Sequence, residues 1–226
     1  VNNGYGVNDW TDADAMKLLN PGYDSESVGG SLYYNAKSGT CYYGRNNATT
    51  SCDFTSTGLK NDTTRNAIEE VVWNLGGTSD FTSASNGLAS HFYGYERGTT
   101  VYTGRPTIWT GKVGLMYPSD YGYATSGGSS KDRAACLAKE LYNWDSSDFS
   151  DCKGNDYLFD ANNWQWTLAP NSAYAINVFY VRSVGNVNNN NANNTNAVRP
   201  ALFLKSSILL DKGTGESSNP YTLKIQ

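Results

Sequence analysis

AYAINVFYVRSVGNVNNNNANNTNAVRPALFL, residues 173–204, is the stretch that decides the fold expected for this chain. Its first part alternates in polarity, with Phe179 and Val181 on one parity and Tyr180 and Arg182 on the other. A period of two is typical of a β-strand with one buried face. We therefore predict a strand here, followed by a return through a nearly pure asparagine tract.

A Gly-Asn pair, Gly185–Asn186, separates the strand from that tract and lies between two valines. Glycine accepts the positive φ that the first position of a type II′ turn requires, so the pair predicts a two-residue hairpin turn. Such a turn also sets the register of the two strands. The predicted partners are Phe179 with Ala192, Val181 with Asn190, Tyr180 with Asn191, and Arg182 with Asn189.

This register leaves one face of the hairpin aromatic, cationic and rich in amides, a composition that suits recognition better than packing. We expect the ligand-binding residues to be Ala173, Tyr174, Ala175, Ile176, Tyr180, Arg182, Val184, Asn189, Asn191 and Asn193. The alternative for residues 186–196, of which eight of eleven are Asn, is a disordered low-complexity linker. Trp164 and Trp166 share a strand face upstream, either as a platform that stacks on sugars or, the favoured alternative, as core residues.

Composition excludes several classes of protein. The net charge is −4 and only 17% of residues are charged. Because no segment concentrates Lys or Arg, the chain lacks the basic footprint of a nucleic-acid binder. No apolar run is long enough to span a membrane, so we expect membrane attachment only through an N-terminal segment that is missing here. The length of 226 residues predicts a single domain over 1–226, with the binding hairpin at about 164–204.

Four cysteines form two local pairs, Cys41 with Cys52 and Cys136 with Cys152. Each pair closes a polar loop, and the chain has no CxxC motif and a single histidine. This pattern favours two structural disulfides, and hence an oxidising, extracytoplasmic compartment. Four reduced, buried thiols are the alternative.

The rest of the chain predicts two or three short helices joined by long, disulfide-clipped loops. Residues 12–22 predict a two-turn helix capped by Thr11 or Asp12. Residues 65–77 carry apolar side chains at helical spacing and end in Gly-Gly, which predicts a second helix. Residues 131–144 predict a third, and 106–124 predict one or two strands and a tyrosine-bearing loop. Helices early and strands late indicate an α+β fold with a small antiparallel sheet.

The paired tryptophans, the polar hairpin with Gly185 at its tip and the closing segment AVRPALFL, residues 197–204, carry a resemblance to a known family. The chain resembles C-type-lectin-fold modules of the formylglycine-generating-enzyme-like branch. It is similar in particular to variable binding modules of bacterial surface and pilin-like proteins, some of which are diversified by retroelements. The resemblance implies a C-type-lectin-like fold with a small antiparallel sheet that presents the ligand face. It also implies possible hypervariation of residues 173–196, because the outward residue types can arise from Asn codons by changes at adenine.

The resemblance does not extend to the chemistry of that family. The Cys-x-Pro-x-Arg motif of formylglycine-generating enzymes and the calcium-binding triplets of lectins are both missing, so no cofactor and no metal are implied. Asp9, Asp12 and Asp14 suggest a loose calcium loop, but without its glycine and distal glutamate a helix start explains them better.

Catalytic patterns are equally weak. The single histidine, His91, has no Cys or carboxylate neighbours at ligand spacing. A glycosidase could use two of the carboxylates Asp9, Glu96, Asp120 and Asp156, but nothing in the sequence selects a pair. We therefore predict that the chain is not an enzyme. We expect an extracellular adhesin module on the bacterial surface or a pilus, with an unknown protein or glycan as its ligand. The alternative is a structural pilin-like subunit that packs on other pilin subunits.

Overall fold

Short helices and short strands make up the computed structural model, which describes residues 5–24, 28–45, 47–84, 86–216 and 218–225. The α-helices of the described residues are α1 Asp14–Leu19, α2 Asp62–Ala67, α3 Ala89–Glu96, α4 Pro118–Ala124, α5 Arg133–Leu137 and α6 Ser150–Gly154. Turns of 3₁₀ helix cover Trp10–Asp12, Leu141–Asn143 and Ser147–Phe149. The strands are β1 Ser38–Tyr42, β2 Thr49–Asp53, β3 Val71–Asn74, β4 Ile108–Gly111, β5 Val113–Leu115, β6 Gln165–Pro170, β7 Asn177–Val181, β8 Val187–Asn191, β9 Ala197–Val198, β10 Pro200–Leu202, β11 Ile208–Lys212 and β12 Thr222–Ile225.

The strands form one four-stranded sheet, in the order β8-β7-β6-β9, and several antiparallel pairs. The pairs are β1 with β2, β3 with β4, β5 with β10, and β11 with β12. The α+β class, the short helices and the small antiparallel sheets are thus confirmed. The sheet expected to be wholly antiparallel contains one parallel pair, because β9 runs parallel to β6.

The predicted hairpin exists as β7 and β8, but its predicted register is wrong. Phe179 pairs with Asn189, and Val181 pairs with Val187. The cause is a loop of residues 182–186 in place of a two-residue turn: the Arg182 N–H donates to the carbonyl of Asn186 at 2.9 Å. Glycine is still required at position 185, where φ is +100° and a Cβ atom would lie 2.3 Å from the side chain of Lys153.

Both faces of β7 are buried, which contradicts the prediction that Tyr180 is displayed. Phe179 is 0% exposed and packs edge-to-face on Phe92, with ring centroids 5.2 Å apart. Tyr180 is 4% exposed and lies between Trp164 and Trp166, at centroid distances of 5.4 and 5.7 Å. The alternation of polarity fails here because Trp164 and Trp166 cover the second face of the sheet.

The core consists of two clusters of buried side chains on either side of β6. Leu168 belongs to the cluster around Trp10 and Trp73, whereas its neighbour Ala169 belongs to the cluster around Tyr121 and Phe179. Successive residues of a strand point to opposite faces, so β6 contributes to both clusters. The N-terminal segment is therefore tied to the same sheet as the asparagine tract.

Both disulfides are present with the predicted pairing, Cys41–Cys52 and Cys136–Cys152. The first joins β1 to β2. The second joins α5 to α6, and both of its cysteines are 0% exposed within the Tyr121 cluster.

The helix predicted over 65–77 is wrong except for residues 65–67, which are the end of α2. Asn61 caps α2 by accepting a hydrogen bond from the Thr64 N–H at 2.7 Å, but the helix ends at Ala67. The following residues form β3, in which Trp73 pairs with Trp109 of β4. Pairing with a distant strand has overridden the local helical pattern, as tertiary context commonly does.

Two further local predictions are corrected. The first helix begins at Asp14 with Ala13 at its N-cap, while Asp9 caps the preceding 3₁₀ turn. The tyrosine-bearing loop is helix α4, which starts at Pro118 and is capped by Asp120, whose Oδ2 accepts the Tyr117 N–H at 2.8 Å. The strands β4 and β5 and the helix that carries Cys136 are confirmed, although α5 ends at Leu137. Within the described part of the chain, every helix is too short to cross a bilayer.

Candidate functional site: the asparagine-loop cleft

The residues predicted to bind ligand do not form one surface. Ala173 and Tyr174 are exposed at the start of β7, where the Tyr174 side chain is 60% exposed. Val184 is exposed beyond the other end of the strand. Between these ends Tyr180 is buried, while Ala175 and Ile176 are half-buried. The predicted display surface is therefore divided by the sheet itself.

Arg182 lies beside the tryptophan pair and not in open solvent. Its guanidinium is 5.5 Å from the ring centroid of Trp164, within the range of a cation–π contact. Trp164 is 38% exposed, and its Nε1 donates to Ser183 Oγ at 3.2 Å. The favoured assignment of both tryptophans to the core is therefore too simple, because Trp164 is a half-covered surface ring.

The first part of the asparagine tract is strand β8, an edge strand, and not an irregular linker. The Ala192 N–H donates to the Ile176 carbonyl at 2.7 Å. The backbone N–H and C=O groups of the even-numbered residues of the tract therefore point towards β7. The N–H groups of Asn189 and Asn191 then face away from the sheet. Each is bound by the side-chain oxygen of the preceding residue, Asn188 or Asn190, at 2.8 Å.

The side chain of Asn189 also serves the sheet, because its Oδ1 accepts a hydrogen bond from Asn177 Nδ2 at 2.7 Å. Unpaired N–H groups on an edge strand invite pairing with another chain. In β8, asparagine side chains accept hydrogen bonds from the outward N–H groups of Asn189 and Asn191. This is a structural role. Asn189 and Asn191 were predicted to contact ligand, and the structure gives them hydrogen bonds within the hairpin.

The second part of the tract, residues 192–196, forms one wall of a cleft with a volume of about 580 Å³. We call this cavity the asparagine-loop cleft. The opposite wall is the N-terminal segment 6–15, the floor includes Trp166 of β6, and the tip of the β1–β2 hairpin closes one side. Small-molecule sites have volumes of about 300–1,000 Å³, so this cleft has room for a ligand.

Asn8 holds the N-terminal wall in place. It is 4% exposed, and its Nδ2 donates to the carbonyls of Asn171 and Tyr174 at 2.9 Å each. Its Oδ1 accepts from Arg105 Nε at 3.1 Å. Gly6 allows the closest approach, since a Cβ atom there would lie 2.6 Å from the backbone nitrogen of Asn193. The contacts with Asn171, Tyr174 and Asn193 join residues more than 160 positions apart in the sequence.

Two buried hydrogen-bond donors of the cleft lining lack an acceptor among the described residues. Trp10 is 9% exposed, and no hydrogen bond is made by its Nε1. The same holds for Nδ2 of Asn196, in the opposite wall. A buried donor without an acceptor carries a desolvation cost, and a bound ligand with acceptor atoms would relieve it.

Three aspartates lie along the N-terminal wall. Asp9 accepts hydrogen bonds from the N–H and Oγ1 of Thr11, and Asp12 forms an ion pair with Lys17 at 2.8 Å. Asp14 makes no hydrogen bond or ion pair with any described residue, and desolvation, opposed by Lys17 and reinforced by Asp12, raises its pKa. Across the described ranges, no three acidic, His or Cys side chains are placed to hold a metal ion.

The other carboxylates considered for catalysis support the fold. Glu96 is 0% exposed; its Oε1 accepts the Ser119 N–H at 2.9 Å and its Oε2 accepts the Ser119 hydroxyl. Asp120 caps α4, and Asp156 is 6% exposed and accepts the Leu158 N–H at 2.8 Å. His91 lies on α3 with a buried Nδ1 that has no described partner. Of the four carboxylates considered for catalysis, Asp9 lines the asparagine-loop cleft and Asp120 lines a different cavity.

Glu96 is expected to make stability depend on pH. Burial raises its pKa from 4.5 to about 7, so between these values the folded protein binds more protons than the unfolded chain. The free energy of unfolding then falls as pH rises through this window. Replacement by the neutral isostere, Glu96→Gln, should remove this loss, on the order of 2 kcal/mol. Urea denaturation of the wild-type protein and of Glu96→Gln at pH 5 and pH 8 measures this loss. If the difference in free energy of unfolding between the two proteins is the same at both pH values, the raised pKa of Glu96 is contradicted.

Sequence reasoning missed most of the cleft. Of the ten predicted binding residues only Asn193 lines it. Trp10, Tyr42 and Asn196 were not predicted to bind ligand, and no local pattern identifies them, because the cleft forms only when the two ends of the sequence meet.

Comparison with known proteins locates a family resemblance in the second half of the chain. Residues 119–206 match the sequence model of a family described as a domain of unknown function (DUF6273). The matched segment covers less than half of the chain and runs from α4 to just beyond β10. No curated protein and no solved structure matches the chain.

Proposed function

We propose that this protein is a non-catalytic ligand-binding module of the bacterial cell surface, and that it binds a neutral saccharide in the asparagine-loop cleft. The observation that carries the proposal is Trp10, a residue of the cleft lining whose buried indole N–H has no acceptor among the described residues. It is accompanied by aromatic rings, amides and carboxylates in the same cavity.

The cleft lining has the chemistry that a sugar requires. Trp166 and Tyr42 offer flat apolar surface on which the C–H face of a sugar ring can stack. Trp10 and Asn196 provide hydrogen-bond donors without partners among the described residues, and the exposed carboxylate of Asp14 provides acceptor oxygens. Sugar hydroxyls both donate and accept, so a single ring can satisfy both kinds of group.

Two broader elements belong to the same proposal. The C-type-lectin-like fold is supported by the tryptophan pair, the hairpin and the closing AVRPALFL segment. The two disulfides support export to an oxidising compartment. Retroelement diversification, if it acts here, would change ligand choice through residues 192–196, because these line the cleft.

A glycan array probed with the whole chain tests the proposal, followed by calorimetric titration of the best-bound neutral glycan. Trp10→Phe keeps the ring but removes the N–H, and we expect it to weaken binding about tenfold, the value of one hydrogen bond. Trp109→Phe is the matched control, since Trp109 packs edge-to-face on Trp10 at 5.9 Å and does not line the cleft. Absence of glycan binding, or equal affinities of both variants, would reject the proposal.

A structural subunit is the second candidate, favoured by the C-terminal hairpin β11–β12. Leu210 pairs with Leu223 on one face of this hairpin, and these side chains are 65% and 44% exposed. An exposed apolar face of this kind suits packing on a neighbouring subunit. Sedimentation velocity separates the candidates: a subunit should associate with rising concentration and lose association in Leu210→Ser, whereas a monomer at all concentrations rejects this role.

A further inference from the structure

A second cavity lies away from the asparagine-loop cleft, between α4, the start of α5 and the β9–β10 junction. It is open and has a volume of about 660 Å³. We call it the two-arginine pocket because Arg133 and Arg199 both line it. All of its lining residues except Met116 belong to the segment 119–206 that matches the DUF6273 family.

Both arginines are fixed in position without a carboxylate partner. Arg133 donates from Nε to the Thr125 carbonyl and from Nη2 to the Tyr123 carbonyl, at 3.1 Å each. Arg199 Nη2 lies 3.1 Å from the amide oxygen of Gln165, in the amide orientation that also lets Gln165 donate to the Leu158 carbonyl. Gln165 is 3% exposed, so this contact is a built part of the core.

Arg199 keeps an unused hydrogen-bond donor. Its Nε is buried and has no acceptor among the described residues. None of the ion pairs within the described ranges includes Arg133 or Arg199. A buried guanidinium donor without an acceptor is costly, and a planar oxyanion is the group that its geometry fits best.

Two acidic side chains lie near the arginines, and neither neutralises them fully. Asp120 lines the pocket and uses Oδ2 to cap α4. Asp156 is 6% exposed, and its Oδ2 has no partner. Desolvation raises the pKa of Asp156 to about 7, although the backbone N–H groups of Leu158 and Phe159 and the charge of Arg199 oppose the shift. Neither carboxylate forms an ion pair with Arg133 or Arg199 within the described ranges.

We propose that the two-arginine pocket binds a ligand through a single carboxylate held by Arg133 and Arg199. A monovalent carboxylate fits this pocket better than a phosphate dianion, because Asp120 lines the same pocket and repels a doubly charged anion more strongly. Tyr123 and Tyr157, which are 39% and 78% exposed, flank the pocket and can cover the organic body of the ligand. The carboxylate can come from a peptide C-terminus or from an acidic sugar.

Chemical-shift titration of the whole chain at pH 7.5 tests the proposal with four probes. They are N-acetyl-phenylalanine, its neutral amide, glucuronate and inorganic phosphate. We expect one or both carboxylates to bind and the amide to fail. Preference for the first over glucuronate identifies a peptide C-terminus, and the reverse identifies an acidic sugar; binding of phosphate above both carboxylates, or equal binding of acid and amide, overturns the proposal.

Arg133→Gln and Arg199→Gln should each weaken carboxylate binding at least about tenfold, the loss expected for one charge-assisted hydrogen bond. Arg133 is exposed, so its variant keeps the test decisive if Arg199→Gln fails to fold. Arg133→Lys retains the charge without the planar fork and should bind with intermediate affinity. Trp10→Phe, in the other cleft, should bind the carboxylate normally. Unchanged affinity in Arg133→Gln would reject the pocket.

Discussion

Replacing Tyr180 by alanine is expected to lower the free energy of unfolding by about 3 kcal/mol, at the lower end of the range for a buried aromatic side chain. The ring is 4% exposed and contacts Trp164 and Trp166 at 5.4 and 5.7 Å between centroids. Its removal would leave a cavity between two large rings that cannot both move into it. Urea denaturation followed by circular dichroism measures the loss.

Tyr174→Ala is the matched control for this variant. Tyr174 is 60% exposed near the start of the same strand, and exposed side chains usually change stability by less than about 0.5 kcal/mol. Equal, small effects of both substitutions would mean that Tyr180 faces solvent, as the alternation of polarity in the sequence predicts. A large effect of Tyr180→Ala alone establishes that both faces of β7 are covered.

Removing the Cys136–Cys152 disulfide, by changing both residues to alanine, should lower the free energy of unfolding by about 3 kcal/mol. The disulfide closes a loop with a sequence separation of 16, and both cysteines are 0% exposed in the cluster with Trp144. The double variant therefore increases the conformational entropy of the unfolded chain. It also leaves a cavity in the core. Thermal and urea denaturation under non-reducing conditions provide the measurement.

The Cys41–Cys52 pair gives the comparison for that experiment. Its sequence separation is 11, and loop entropy changes slowly with length, so the two entropic contributions are nearly equal. Cys52 is half-buried at the surface hairpin, so its replacement should leave a smaller cavity. We expect a smaller loss for Cys41→Ala with Cys52→Ala; equal losses would show that burial in the Trp144 cluster adds nothing.

Local features of this fold can be predicted from the sequence because local chemistry determines them. The short spacing within each cysteine pair identified both disulfides. Asn61 is of a residue type that favours helix N-caps and it caps α2, and Gly185 has the positive φ that its place in the hairpin indicated. In each case the determining contact lies within a few residues along the chain or within one closed loop.

Other features depend on contacts that no local pattern contains. Residues 71–74 fit a helix by spacing, but pairing of Trp73 with Trp109 makes them a strand. The hairpin register differs from the predicted one because the hydrogen bond between Arg182 and Asn186 closes a longer loop. No residue type within that loop indicates how long the loop is. The cleft was not predicted for the same reason. It depends on contacts between residues far apart in the sequence, such as the hydrogen bond from Asn8 to the carbonyl of Asn171.

The side-chain oxygens that bind the N–H groups of Asn189 and Asn191 affect how β8 can pair with a strand of another molecule. Asparagine-rich strands are prone to stack as amide ladders in fibrils, where each chain templates the next. Here the outward N–H groups of Asn189 and Asn191 are already occupied, so an incoming strand would first have to displace the side-chain oxygens that bind them. We therefore expect β8 to be a poor template for fibril growth, even at high concentrations of the protein.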